Sequence, residues 1–280
     1  MTNPHQIALA HRFGDLHQGP AILVLPNAWD VTSARIFEEA GFPAIGTSSA
    51  AIANSLGHPD GQRVPRSEML AVVKRIVDAV KIPVTADLEA GYGKKPEEVA
   101  ETAYLAIGAG AVGMNLEDAD HERPNTLVEL NLQTEIIRTV TEASQNAGIP
   151  FVLNARTDVF LACIGDPTSR LDRTVERLNA YRDAGARSLF APGVSDKTII
   201  ALLARAIRGP LNILATVGTP SIAELQQLGV ARVSLGSGPM RAAMGLLARM
   251  ARQLREEGSF SLMTDGAMPY PEANRLVFRS

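Results

Sequence analysis

Cysteine is almost absent from this 280-residue chain. Cys163 stands alone, so no intrachain disulfide can form, and a reducing cytoplasm is the natural compartment. Long apolar runs are missing too: no stretch reaches the ~18 residues a membrane span needs, and Met1-Thr-Asn-Pro-His-Gln lacks the basic region and apolar core of a secretion signal. Charge of one sign is equally scarce. A net charge of −3 gives no general attraction for nucleic acid or an anionic membrane, so a small polar or anionic partner has to be held by a local site. There is no low-complexity segment or interdomain linker. No glycine-rich phosphate fingerprint follows the first strand candidate, which counts against a doubly wound nucleotide-binding sheet, the main alternative architecture.

What is present is one unit, repeated. Ala21–Leu25, Ala44–Thr47, Pro83–Ala86, Gly113–Leu116, Phe151–Ala155, Ser188–Ala191, Leu211–Ala215 and Arg232–Leu235 are short apolar runs bounded by turn residues, as expected of strands buried on both faces. Between them lie helical stretches, including Pro65–Val80, Leu130–Ala147, Pro167–Ala184 and Pro239–Glu257. The Pro96 helix opens with proline and acids in its first turn, where they suit the free amides. Five helices close on a small or apolar residue and then glycine, at Gly41, Gly110, Gly148, Gly185 and Gly229, where the chain must leave through a left-handed conformation. Eight strand–helix units predict an α/β fold, a (β/α)8 TIM barrel. A single domain over residues 1–280 is expected, with a C-terminal helix and tail from about 239. The tail is apolar enough to pack on a neighbour or on the barrel floor.

The polar residues then fall at equivalent points. Thr47-Ser48-Ser49 follow the second strand, Asp87 and Glu89 the third, Glu117-Asp118 the fourth, and Arg156 and Asp158 the fifth. In a barrel these are strand carboxyl ends, on the rim where catalytic residues gather. Carboxylate ligands without histidine or cysteine favour Mg²⁺, with Mn²⁺ as the other candidate. Such a dication can chelate a carboxylate and the adjacent oxo group of a substrate and stabilise an enolate. Arg156 offers a planar fork to the same oxygens, its plainer role being an ion pair with Asp158. Thr47, Ser48 and Ser49 offer hydroxyls and amides to the substrate carboxylate. Cys163 reads as a small buried residue rather than a catalyst.

The runs Gly46-Thr-Ser48-Ser-Ala50, Ser55-Leu-Gly-His-Pro59-Asp60-Gly61, Thr85-Ala-Asp87-Leu-Glu89-Ala-Gly91-Tyr92-Gly93, Asn115-Leu-Glu117-Asp118 and Asn154-Ala-Arg156-Thr-Asp158 together resemble the isocitrate lyase/phosphoenolpyruvate mutase superfamily, in order and spacing, from about Leu25 to Arg249. The resemblance implies Mg²⁺ held mainly by Asp87, with Glu89 and Glu117 acting through water. It implies a small 2-oxo acid or its enolate contacted by Arg156, and a carboxylate pocket lined by Ser48, Ser49 and Ala50. Asp60 is implied to sit on the loop above the metal. A homo-oligomer, dimer or tetramer, is also implied, with the last helix exchanged between subunits.

The departures narrow the activity. Isocitrate and methylisocitrate lyases share a Lys-Lys-Cys-Gly-His lid whose cysteine is the acid; here the stretch is Glu117-Asp-Ala-Asp-His121-Glu-Arg123-Pro-Asn125-Thr126, without cysteine. It is closer in form to the mutase and phosphonopyruvate hydrolase pattern, with Asn125 on that pattern's asparagine, but Ala119 replaces its first lysine. His121, on this lid, is the better candidate for a proton donor, ahead of His58. The leading expectation is a Mg²⁺-dependent lyase that cleaves or decarboxylates a small 2-oxo or 2-hydroxy acid. The alternatives are phosphoenolpyruvate mutase or phosphonopyruvate hydrolase chemistry, and a catalytically weak 2-oxo acid-binding protein. A metal-free phosphosugar barrel would need Ser234-Leu-Gly236-Ser-Gly238 to form a phosphate loop.

Overall fold

The computed structural model describes residues 3–123 and 125–278; Pro124, in the middle of the lid-like stretch, lies outside them, as do the two residues at each end. Nine parallel strands form one sheet: β1 (Leu23–Leu25), β2 (Asn27–Ala28), β3 (Ile45–Thr47), β4 (Val84–Asp87), β5 (Gly113–Glu117), β6 (Val152–Arg156), β7 (Ser188–Ala191), β8 (Leu211–Leu214) and β9 (Arg232–Ser234). The first predicted strand is two pieces. Pro26 cannot donate to a ladder, so β1 ends before it and pairs with β9, while β2 begins after it and pairs with β3. The sheet runs from β1 through β9 and back down to β2, and so closes into the expected barrel. The five predicted helix-ending glycines all have positive φ, from +70° at Gly148 to +110° at Gly185.

Three parts differ from expectation. The stretch after β3 is a helix, Ser49–Ser55, capped by the Ser48 hydroxyl, which accepts from the Ala51 amide. An N-terminal helix, Pro4–Leu16, precedes the repeating units and has no counterpart among them. It covers the barrel floor: the Gln6 amide donates to the carbonyls of Ile107 and Ala111, and a side chain at Gly113, at the foot of β5, would meet the Phe13 ring at 3.2 Å. The tail therefore packs elsewhere. Its helix Tyr270–Val277 lies against the helix Val31–Glu39, where Arg35 donates to the Leu276 carbonyl and Arg275 pairs with Glu39.

The barrel interior is apolar toward the helices but carries a polar layer beneath the rim. Side chains two residues apart on a strand share a face, so Thr85, Asn115 and Asn154 sit one layer below Asp87, Glu117 and Arg156. The Asn154 amide donates to Asn115 Oδ1 (2.8 Å), and buried Arg232 on β9 approaches the same oxygen (3.4 Å) and His17 Nε2 (3.5 Å). His17 also bonds the Phe13 carbonyl through Nδ1, and burial beside Arg232 holds its pKa down to about 3, so it is neutral.

Candidate active site

Strands β3, β4, β5 and β6 end on Thr47, Asp87, Glu117 and Arg156, so the four predicted clusters reach one rim. Register makes them neighbours: Asp87 stands opposite Asn115, and Glu117 opposite Arg156. Arg156 grips Asp158 through Nε and Nη2 and reaches Glu117 Oε2 through Nη1 at 2.6 Å, with its guanidinium 5.9 Å from the Phe190 ring centre. The plain ion pair with Asp158 and a contact inside the acidic cluster are thus both present. Desolvation opposes the Arg156 charge, but Glu117 and Asp158 outweigh it and raise its pKa.

Asp87 is tied in place. Its Oδ2 accepts from the Ser49 amide (2.9 Å) and hydroxyl (2.7 Å), its Oδ1 from Asn115 Nδ2 (3.3 Å), and its own amide donates to Thr47 Oγ1 (2.9 Å). Thr47 and Ser49 therefore brace Asp87, Ser48 caps the helix, and Ala50 lies in that helix's first turn.

Glu89 sits just past β4 with φ +53°, buried, its Oε2 accepting from the Gln62 amide and its Oε1 3.4 Å from the Tyr92 hydroxyl. Burial, then the charges of Glu117, Asp87 and Asp60, push its pKa up to about 7. Burial raises Glu117 in the same direction, against the pull of Arg156. Asp60, on the loop above, is raised by desolvation and by Asp87.

His121 completes the group. Its Nε2 lies 2.9 Å from Glu117 Oε1 and 4.0 Å from Glu89 Oε2, and the hydrogen bond to Glu117 raises its pKa. It hangs on a short closed loop in which Val128 donates to the Asp118 carbonyl, Asp120 to that of Thr126, and Ala119 bridges Leu127. Asn125 is on the outer part of this loop, exposed, with φ +56°. Glu89, Glu117 and His121 present ligand atoms that all lie within 4.8 Å of one another. Buried like charges that repel one another, with an imidazole among them, suit a divalent ion, and this group could hold one.

Several residues of the site carry no signal in the sequence. Gln62 fastens the 57–64 loop over the site: its amide holds Glu89, and its Oε1 accepts from the Tyr92 amide at 2.7 Å. Nothing in the pattern of that loop marks it. Asn115 is legible only as the polar residue two before Glu117. Asp118 is fully buried and structural: it accepts from Arg177 Nε (2.7 Å), the Tyr181 hydroxyl (2.7 Å) and the Asp158 amide (2.9 Å), and so fixes Arg156 at second hand. Cys163 is exposed, not buried, because it stands in the turn after β6 with φ +52°. The possible phosphate loop after β9 is engaged: the amides of Leu235 and Gly236 both donate to Asn27 Oδ1, at 2.8 and 2.9 Å. His58 makes no contact with the cluster among the described hydrogen bonds and ion pairs.

The phosphoenolpyruvate phosphomutase family matches residues 13–255. A solved structure from Burkholderia cenocepacia J2315 with the provisional name lyase/mutase superposes with a TM-score of 0.91 at 40% identity, covering 98% of this chain and 96% of that one. An uncharacterized protein of Mycobacterium tuberculosis H37Rv is 37% identical over 245 residues, 87% of this chain and 89% of its own. The 2-methylisocitrate lyase of Escherichia coli K12 is 30% identical over 243 residues, 83% of this chain and 79% of its own. With a buried acidic cluster and an arginine at the barrel rim, and with this coverage, the chain belongs to the phosphoenolpyruvate phosphomutase family, within the isocitrate lyase/phosphoenolpyruvate mutase superfamily.

Proposed function

We propose that the protein is a divalent-metal-dependent lyase that cleaves or decarboxylates a small 2-oxo or 2-hydroxy carboxylic acid by way of an enolate. The observation that carries this reading is the meeting of Glu89, Glu117 and His121 with the Arg156 guanidinium at one rim. Similarity to a 2-methylisocitrate lyase supports it. A bound dication, Mg²⁺ or Mn²⁺, supplies Lewis-acid polarisation of the oxo group and neutralises enolate charge.

The protein's own groups do the rest. Asp87, Glu89 and Glu117 would hold the ion, the Asp87 carboxylate being oriented by Ser49 and Asn115. Arg156 has five N–H groups; three are used on Asp158 and Glu117, and the other two are available to the substrate's oxo and carboxylate oxygens. The carboxylate side of the pocket would be the start of the Ser49–Ser55 helix, at Ala50, with Thr47 and Ser49 serving it through Asp87 and Ser48 through the helix cap. Asp60, on the 57–64 loop, and His121, both with raised pKa, stand over the cluster as proton carriers, with Asn125 further out on the His121 loop.

Phosphorus–carbon chemistry is the second reading, favoured by the family match itself; Asp60 and Asn125 would then face the phosphoryl group. Against it stands Ala119, where a cation is wanted. Incubation with Mg²⁺ and oxaloacetate, 2-methylisocitrate, a 4-hydroxy-2-oxo acid or phosphonopyruvate separates the two. Pyruvate without phosphate supports the lyase; phosphate or phosphoenolpyruvate formed from phosphonopyruvate overturns it.

We also propose a cytoplasmic homo-oligomer, dimer or tetramer. The helix Gly238–Glu257 buries only Met240, and Met244, Leu247 and Leu254 lie exposed along it, an apolar stripe that a second subunit would cover.

A further inference from the structure

Strand β9 buries a cation in the barrel. Arg232 is completely inaccessible to solvent, and among the described residues it forms no ion pair. Its nearest polar atoms are Asn115 Oδ1 at 3.4 Å and His17 Nε2 at 3.5 Å, and its own Nε has no partner. His17 is neutral, so it is no counterion. Burial pulls the Arg232 pKa down to about 9 while Asp87 pulls it the other way, which leaves the guanidinium charged at neutral pH. A buried charge without a counterion costs stability, and packing alone would be better served by an apolar side chain.

Asn115 connects this charge to the rim. An asparagine amide has a donor end and an acceptor end, and its neighbours decide which way round it lies. Asn154 cannot decide it, being an amide itself with an unpartnered Oδ1. Arg232 can only donate, so it holds Asn115 Oδ1 toward itself and turns Nδ2 toward Asp87 Oδ1, 3.3 Å away. Ser49 fixes the other Asp87 oxygen, Oδ2.

Resting on the reading of the rim as a dication site, we propose that Arg232 is a positioning residue that acts through Asn115, from beneath the rim, to hold the Asp87 carboxylate in the orientation that serves the ion.

Titration calorimetry with Mn²⁺ on the full-length protein tests this. Loss of a nearby positive charge would by itself tighten the hold on a dication, so weaker binding reports lost orientation. Asn115→Ala should weaken Mn²⁺ binding ~10-fold and Arg232→Met ~3-fold. The melting temperature of metal-free Arg232→Met should not fall, because no counterion is stranded. Arg232→Lys, still a cation that can only donate, should recover most of the affinity. The double variant should bind no more weakly than Asn115→Ala alone, since both changes break one relay. Arg232→Gln, whose amide can face either way, gives the same readings if methionine prevents folding. Equal or tighter binding in Arg232→Met, or additive losses in the double variant, overturns the role of Arg232 and leaves the dication site standing. Failure of the wild type to bind Mn²⁺ or Mg²⁺ overturns both.

Discussion

Glu89 is buried among three other carboxyl groups, and its proton has a structural effect. Its pKa lies at about 7 in the fold against an ordinary 4.5. The stability linked to that proton is therefore complete below pH ~4.5 and is lost as the pH rises through about 7, a change of roughly 3 kcal/mol. Calorimetry of the metal-free protein should show its melting temperature falling between pH 5 and 8, and Glu89→Gln should flatten that slope. An equal slope in the variant would contradict the assignment. Arg156 gives a second test at this scale. Lysine cannot grip Asp158 with two nitrogens and still reach Glu117, so Arg156→Lys should lower kcat/KM by ~10- to 100-fold, the equivalent of one or two charge-assisted hydrogen bonds. Steady-state kinetics on the substrate identified by the panel is the measure. Asp118→Asn acts from further away. It leaves the buried Arg177 charge without its counterion, a loss of about 3 kcal/mol or more that urea unfolding will register.

Among the elements, the 57–64 loop does the most with the fewest contacts. Gln62, Glu89 and Tyr92 all have φ between +53° and +57°, and they bond to one another. Three non-glycine residues in this region carry a conformational cost that the shared bonds must offset. Proline at 62 removes the amide that Glu89 accepts from and cannot take a positive φ. Gln62→Pro should therefore release the loop, with trypsin cutting after Arg63 at least ~10-fold faster, read by mass spectrometry. None of this is legible in the chain, since such a contact depends on a loop folding back across 27 residues. The strands are legible because burial on both faces leaves continuous apolar runs. Asp87, Glu117 and Arg156 are legible because a polar residue that ends such a run has only the rim to occupy. His121 is legible as a proton donor, but its place among the carboxylates is not, for a loop's path has no periodicity to read. The helix Ser49–Ser55 escapes for a related reason: it is seven residues long, too short to show an amphipathic pattern.

On the scale of the whole molecule, the helix Gly238–Glu257 leaves an apolar stripe uncovered. Leu247 and Leu254 are 66% and 61% exposed on its stripe. Replacing both with glutamate should leave the barrel's melting temperature nearly unchanged, because neither side chain is buried in the protomer. It should also shift the species seen by light scattering toward the monomer. A wild type that is already monomeric would refute the proposed assembly. The N-terminal helix works the other way, closing the floor from within the same chain, and His17, just past its end, reaches the polar layer through Arg232.

The break at Pro26 has a bearing on biosynthesis. Because β1 finds its partner only in β9, roughly 210 residues later, a nascent chain that has emerged as far as Ala231 already carries every rim residue yet exposes two raw sheet edges. Ring closure of that kind is a late, long-range step. Translation must run past β9 before the catalytic mouth can become rigid, and chains stalled short of Arg232 should collect in the insoluble fraction.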